Sequence, residues 1–286
     1  MQEQHKKTLR TDYHFHPNLP KNEKRAVKKV RRIFKAFDEF EITTVIIAEH
    51  AYKEPKRAWK IMMQEKPSHI TLIPGLEYVT SEDIDIVMFS NKERIYDMPE
   101  LAPFSMNYRE AVQFVHGNED LHAFVTHPFT LGRTSLAKKL GEDFTKEMIH
   151  ALGAVEVSYS PYDKMYDALR LFPFRKMRAR ALMRLALNDF IPSELLPKDI
   201  RFFAAGSDAH HVWDIGAHME LPFFDGDDHF KVITNNKGGP VISFRSEESY
   251  THSIIDVLTS IREGNIKRRL KRKLRREKGR FVVRPS

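Results

Sequence analysis

Fourteen histidines are spread over the 286 residues, and several stand beside carboxylates in a pattern that chemistry can use. Asp12-Tyr13-His14-Phe15-His16 sets an acid and two imidazoles at alternate positions. Glu49-His50 and Asp208-Ala209-His210 repeat the pairing, and Glu77, His127 and Glu156 lie between them. Imidazole and carboxylate together suit zinc, manganese or iron, and several carboxylates allow one of them to bridge two ions. Cysteine is absent. That excludes disulfides, zinc–thiolate sites, iron–sulfur clusters and thiol nucleophiles, and it suits a reducing compartment. Two histidines on one strand face are costly to bury without a partner, so Asp-x-His-x-His points to metal binding. Five such segments in one chain point to a metal centre.

Those segments need elements that bring them together. Short β-rich runs alternate with amphipathic stretches: strands are expected at 8–16, 42–50, 69–79, 84–90, 123–129, 154–160 and 201–210. Between them, helices are expected at 22–40, 54–65, 108–116, 144–152 and 163–190, the last interrupted by Pro173. Thr44-Val45-Ile46-Ile47-Ala48 reads as a strand buried on both faces. Alternation of this kind implies an α/β fold with right-handed crossovers and a mostly parallel sheet, open or closed as a TIM-like barrel. His14 and His16, His50, His127 and His210 then fall at C-terminal strand ends, where α/β sheets and barrels carry their sites. Residues two apart on a strand share a face, so Asp12, His14 and His16 would open into one cavity and Asp208 with His210 would face it. Further on, the cluster Asn235-Asn236-Lys237-Gly238-Gly239 suggests a hairpin over 232–244, and 251–278 reads as one helix that turns basic.

Taken in order, Asp-Tyr-His14-Phe-His16-Pro-Asn, Ala-Glu-His50, Pro-Gly-Leu-Glu77, Thr-His127-Pro-Phe, Val-Glu156-Val and Gly-Ser-Asp208-Ala-His210 resemble the motifs of the PHP (polymerase and histidinol phosphatase) family. The resemblance spans about residues 8–220. It implies a distorted (β/α)7 barrel over 8–230, followed by a C-terminal hairpin and basic helical tail over 231–286. It also implies a cofactor set of two or three divalent ions (zinc, manganese or iron) used to hydrolyse phosphate esters. Carried over, His14, His16, Glu77 and Asp208 would hold one ion, Glu77 would bridge to a second at His127, and His50 with His210 would belong to a third. Asp12, Glu49 and Glu156 would support these ligands. Two departures are visible. Glu49 stands where the family usually has Asp, and a further ligand expected after His16 falls on Lys21 or Asn22.

The chemistry this predicts is a metal-activated water attacking phosphorus, with the cations also holding the non-bridging oxygens. His210 and His50 are candidates for proton transfer or for metal, and Lys53, Arg133 and Arg175 for orienting the phosphate. The net charge of +8 is unevenly spread: residues 266–284 carry eleven Lys/Arg and only Glu277 as acid, leaving the rest slightly negative. Such a tail could meet nucleic acid by counterion release. With a second basic run over 170–180, it tilts the substrate from a phosphomonoester toward a nucleic-acid phosphodiester. A protein-tyrosine phosphatase, and a nucleic-acid-binding scaffold with a structural or degenerate metal site, stay open as alternatives. No run approaches the length needed to span a bilayer and no apolar leader is expected, so the expected location is cytoplasmic.

Overall fold

The computed structural model describes residues 6–129, 135–159, 198–236 and 241–243. Arg133, Arg175, the expected helices over 163–190 and 251–278, and the basic tail lie outside the described residues. The first half runs β1 (Lys6–Phe15), α1 (Glu23–Glu39), β2 (Thr44–Ile47), α2 (Pro55–Glu65), β3 (Thr71–Val79) and β4 (Asp85–Ser90). Two 3₁₀ turns and α3 (Tyr108–His116) lead to β5 (Leu121–Val125). Then come α4 (Leu136–Leu140), α5 (Glu142–Leu152), β6 (Ala154–Tyr159), β7 (Phe202–Gly206), β8 (His218–Phe224), α6 (His229–Thr234) and β9 (Val241–Ser243).

Local signals start the helices where they are needed. The Asn22 side chain accepts from the Arg25 backbone N–H at 3.0 Å, capping α1. Its inner face then buries Val30, Ile33, Phe34 and Phe37 against the outside of β1 and β2, each contributing about 1.5–3 kcal/mol. Asn107 and Glu110 form a capping box on α3. This helix and α5 cover the outside of β3 to β6 through Ala111, Val112, Val115, Met148, Ile149 and Leu152. Leu9, Tyr13, Ile46, Ile73, Val87, Phe89, Phe124 and Phe202 fill the lumen below the site.

The strands form one sheet in the order β7-β6-β5-β4-β3-β2-β1-β8-β9. It curls until β7 returns to β1. The first half of β1, Lys6–Thr11, pairs antiparallel with β8. Its end instead meets the chain after β7: Asp208 N donates to His14 O at 2.7 Å, His16 N donates to Ala209 O at 3.1 Å, and Phe15 bridges Ala209 in parallel. Strands β1 to β8 therefore wall a distorted, nearly closed barrel, with β8 burying Met219 and Leu221 in the lumen cluster and β9 added beside β8. The sheet is mixed, not mostly parallel. Only the tight turn of residues 80–84 joins β3 to β4, far too short for a crossover, so β4 runs antiparallel to β3 and β5.

The expected 232–244 hairpin is also corrected. Asp228 accepts from Phe230 N at 2.9 Å and starts α6, whose Ile233 is fully buried. The strand that follows, β9, pairs with β8. That β8 strand was not expected, since Pro222 interrupts its pattern. Pro222 is tolerated because β9 pairs only with residues 218–220.

Candidate metal centre

One rim of this barrel collects imidazoles and carboxylates from six places in the sequence. β1 and the residue after it supply His14 and His16, the loop after β2 supplies Glu49 and His50, and β3 supplies Glu77. The loop after β5 supplies His127, β6 supplies Glu156, and the loop after β7 supplies Asp208 and His210. Antiparallel β4 ends at the opposite rim and supplies none.

The side chains meet at short range. Nε2 of His14 and Nε2 of His16 face each other at 3.1 Å, with Asp208 Oδ1 3.0 Å from the His16 nitrogen. Glu77 Oε1 lies 3.5 Å from His14 Nε2 and 3.8 Å from His127 Nε2. On the other side, His50 Nε2 faces His210 Nε2 at 3.2 Å, and His50 Nδ1 contacts Glu77 Oε2. Donor atoms from His14, His16 and Asp208, from His14, Glu77 and His127, and from His16, His50 and His210 form three sets compact enough for a metal ion. The sets overlap through His14 and His16. Glu77 lies within 3.8 Å of His14, His16 and His127, and His16 joins His50 and His210.

These residues fit a metal. Paired imidazole nitrogens directed at one another, with a carboxylate beside them, make a donor set that a shared cation would satisfy. His14 and His16 are completely shielded from solvent, and His16 Nδ1 has no hydrogen-bond partner. Charge is balanced internally in the same sense. Burial opposes protonation of His14, yet Glu156 and Asp208 outweigh it and hold its pKa well above the usual imidazole value. Burial drives His16 down instead. Burial also raises Glu77 and Asp208, but His50, His14 and His16 around the first, and His14, His16 and His127 around the second, hold both carboxyls below their ordinary range. The cluster can hold a metal and keeps its carboxylates ionised to do so.

A second layer positions these groups. Glu156 Oε1 lies 3.0 Å from His14 Nδ1 while its Oε2 accepts from His127 N at 2.9 Å, so one carboxylate orients two candidate ligands and leaves His14 Nε2 facing the cluster. Glu49 accepts from Asn18 N at 2.6 Å and from His50 N at 3.1 Å. Lys53 reaches the rim, where Nζ lies 2.6 Å from Asn18 Oδ1 and 3.4 Å from Glu49 Oε1. His127 and Asp208 both adopt left-handed backbone, with φ of 45° and 42°, a strain of about 1–3 kcal/mol apiece for such residues. The hydrogen bonds from their own N–H groups to Glu156 and His14 hold them there.

Asp12 departs from the period-two expectation. A bulge in β1 sets four residues, Asp12 to Phe15, against three of β2, Val45 to Ile47. Tyr13 and His14 consequently both reach the Phe124 ring in the lumen, with centroid separations of 6.3 and 6.4 Å. Asp12 turns instead to the closing seam. Its Oδ2 accepts from the Ser207 hydroxyl at 2.6 Å, and its Oδ1 accepts from Ser207 N at 3.0 Å and His14 N at 3.1 Å. Burial pushes its pKa up to about 7, with the Ser207 hydroxyl pulling the other way. The residues standing where the family has a further ligand lie elsewhere: Asn22 caps α1 and Lys21 lines an outer groove.

Several contributors carried no sequence signal. The Tyr52 ring stacks on His50 at 4.7 Å and 16°. Asn18 Nδ2 and Lys29 Nζ both donate to the His210 carbonyl, at 3.3 and 3.1 Å. Gly206 lets β7 pass β1, since a Cβ there would sit 2.3 Å from His14 N. Only the neighbouring motifs, His-Pro-Asn and Gly-Ser-Asp, hinted at Asn18 and Gly206.

No family model matches the sequence, and no curated protein matches it. Solved structures do. PsfC from Pseudomonas syringae has a TM-score of 0.54 at 12% identity, covering 92% of this chain and 98% of that one. The lesion-specific endonuclease PfuEndoQ from Pyrococcus furiosus has 0.50 at 14% identity, over 82% of this chain and 58% of that one. Endonuclease Q in complex with a 27-mer duplex substrate carrying an abasic lesion has 0.51 at 13% identity, over 88% of this chain and 67% of that one. At such identities the likeness is one of fold, and it is the barrel that resemblance to the PHP family implied.

Proposed function

We propose that this chain is a metal-dependent phosphoesterase of the PHP type, with His14, His16, His50, Glu77, His127, Asp208 and His210 holding two or three divalent ions. One observation carries the reading: donors from five separate chain segments converge into three overlapping sets at one barrel rim. Bound there, divalent ions supply a water that ionises near neutral pH and positive charge for the non-bridging phosphate oxygens.

The chain's own residues do the rest. Glu156 fixes the His14 ring and the His127 backbone, so both present nitrogen in one direction. Glu49 holds the turn at His50. Water adds to phosphorus, the ester P–O bond breaks with its electron pair on the alcohol oxygen, and that oxygen needs a proton. With two ions bound and the His50/His210 position not holding a third, His210 is placed to give it. Its side chain is 15% exposed, the most open of the imidazoles in the cluster, and its Nδ1 is held by the Asp208 carbonyl at 2.9 Å, which leaves Nε2 for the transfer. Lys53 stands at the rim and is proposed to orient a phosphate, with Arg133 and Arg175 proposed to assist. The endonuclease activity of PfuEndoQ, on the same fold, favours a phosphodiester substrate.

The test measures bis-p-nitrophenyl phosphate and p-nitrophenyl phosphate turnover with added manganese or zinc, and metal per chain by elemental analysis, for wild type, His14→Ala and Asp208→Ala. Wild-type turnover that both substitutions abolish, with loss of bound metal, supports the proposal. A wild type that turns over neither ester refutes it and leaves a binding or scaffold protein.

A further inference from the structure

Averaged over the body of the chain, the charge is close to neutral, but helix α1, which follows His16 in the chain, is not. Residues 21–35 hold eight Lys/Arg and a single acid, Glu23. Helix α1 buries Ala26, Val30, Ile33, Phe34, Ala36 and Phe37. At 100° per residue this leaves one continuous outer arc for Lys24, Arg25, Lys28, Arg31, Arg32 and Lys35. All six are exposed. Arg31 is taken by Glu65 of α2 at 2.7 Å, whereas Lys24, Arg25, Lys28, Arg32 and Lys35 make no ion pair among the described residues. Acids return only at the far end, with Asp38 and Glu39.

This stripe is joined to the site. Lys29, one turn from Arg25 and Arg32, donates from Nζ to the carbonyls of Asn18 at 3.0 Å and His210 at 3.1 Å. The side of α1 that carries Arg25 and Arg32 therefore borders the rim where His210 stands. At the start of α1 the positive surface continues through Lys21. Lys21, Lys56, Arg57 and Lys60, with Glu23, Glu54 and Ala51, next to His50, line a groove of about 760 Å³ beside α2, and Lys56 pairs with Asp97. Arg57 fixes the intervening loop by donating to the Pro20 and Lys21 carbonyls, at 3.1 Å each.

Cations recurring every three or four residues along a helix present charge about every 5–6 Å over more than two turns. A small phosphomonoester would meet at most one of them. A chain of phosphates would meet several at once and release counterions at each. We infer that the outer face of α1, continued by Lys21, is a track for the backbone of a nucleic-acid strand leading to the His210 side of the metal cluster. This inference rests on the phosphoesterase reading and names its substrate as a polymer.

The experiment uses the full chain and the variant Lys24→Gln/Lys28→Gln/Arg32→Gln/Lys35→Gln. It measures fluorescence anisotropy of a labelled oligonucleotide of roughly 20 nucleotides, single-stranded and duplex, from about 50 to about 200 mM salt. It measures bis-p-nitrophenyl phosphate turnover in parallel, because none of these four side chains reaches the cluster. With four phosphate contacts removed, the log–log salt slope should shrink by about 3 and affinity near 0.1 M salt should fall about 100-fold or more, with small-ester turnover retained. Affinity within about twofold of wild type, with an unchanged slope, overturns the track even if ester hydrolysis stands. So does a variant that loses binding to phosphatidylserine vesicles but not to the oligonucleotide. Loss of oligonucleotide binding in the variant, with no ester turnover in either protein, supports the track and refutes the phosphoesterase reading alone.

Discussion

Substituting Gly206 by alanine tests whether the barrel's closure is what assembles the metal cluster. A Cβ at this position would lie 2.3 Å from His14 N, 2.7 Å from Asp12 Oδ1 and 2.7 Å from His14 Cβ. Two of these three atoms belong to β1 backbone or its first side-chain carbon, so no flexible end can swing away. The strands must part by about 1 Å at the seam, an overpacking worth about 1–3 kcal/mol. Parting them also weakens the bonds from Asp208 N to His14 O and from His16 N to Ala209 O, and each buried group left unpaired adds about 1–3 kcal/mol. Because those two bonds are weakened rather than lost, a total near 4 kcal/mol, toward the low end of the summed ranges, is expected. With an unfolding entropy of about 2.1 cal/mol/K per residue, that lowers Tm by about 7 °C. The same movement carries His14 and His16 away from Asp208, and a 1 Å displacement costs about 100-fold in rate.

Thermal melts and bis-p-nitrophenyl phosphate kinetics on Gly206→Ala read both effects. Gly117→Ala serves as the comparison, since its Cβ would come no closer than 3.6 Å to Gln113 O, and it should melt like wild type. A Gly206→Ala protein that melts within about 1 °C of wild type and keeps its activity would refute the reasoning.

Other substitutions probe single links. Glu156→Gln should lower metal affinity or kcat/KM by about 10–100-fold, because it disturbs the orientation of His14 and the turn at His127 together; metal titration and ester kinetics check it. Chelator treatment should abolish ester turnover and lower Tm, and added manganese or zinc should restore both, since ions that bind only the folded chain stabilise it. His122 and His218 should each take stability away as pH drops below about 6.5, against the opposite contributions of Asp12 and His14. Burial holds His122 and His218 below their usual pKa, so in that range the unfolded chain takes up protons that the folded chain refuses. His122→Asn should make the fall in Tm between about pH 6.5 and 5 shallower, and an unchanged slope would remove His122 from the account.

Most of the cluster was legible in the chain because metal chemistry constrains residue type. His14, His16, His50, Glu77, His127, Asp208 and His210 are the side chains that need each other, and their positions near the ends of β-rich runs were readable from apolar patterning. Helices α1 to α3 and α5 were likewise readable within two residues at each end, because their buried faces repeat at the helical period and Asn22 and Asn107 mark two of the starts. Local sequence could not place Asp12. A single extra residue in β1 reverses the facing of everything after it, and that bulge is set by how β1 divides its pairing between β2, β8 and the end of β7. The antiparallel β4 and the strand β8 were hidden for a related reason: strand direction and partner are long-range choices. Composition averaged over the body likewise hid the charge of α1, because only burial of its inner face shows that the remaining cations share one side. Residue chemistry thus named the candidate ligands, while pairing between distant strands decided which of them face one another.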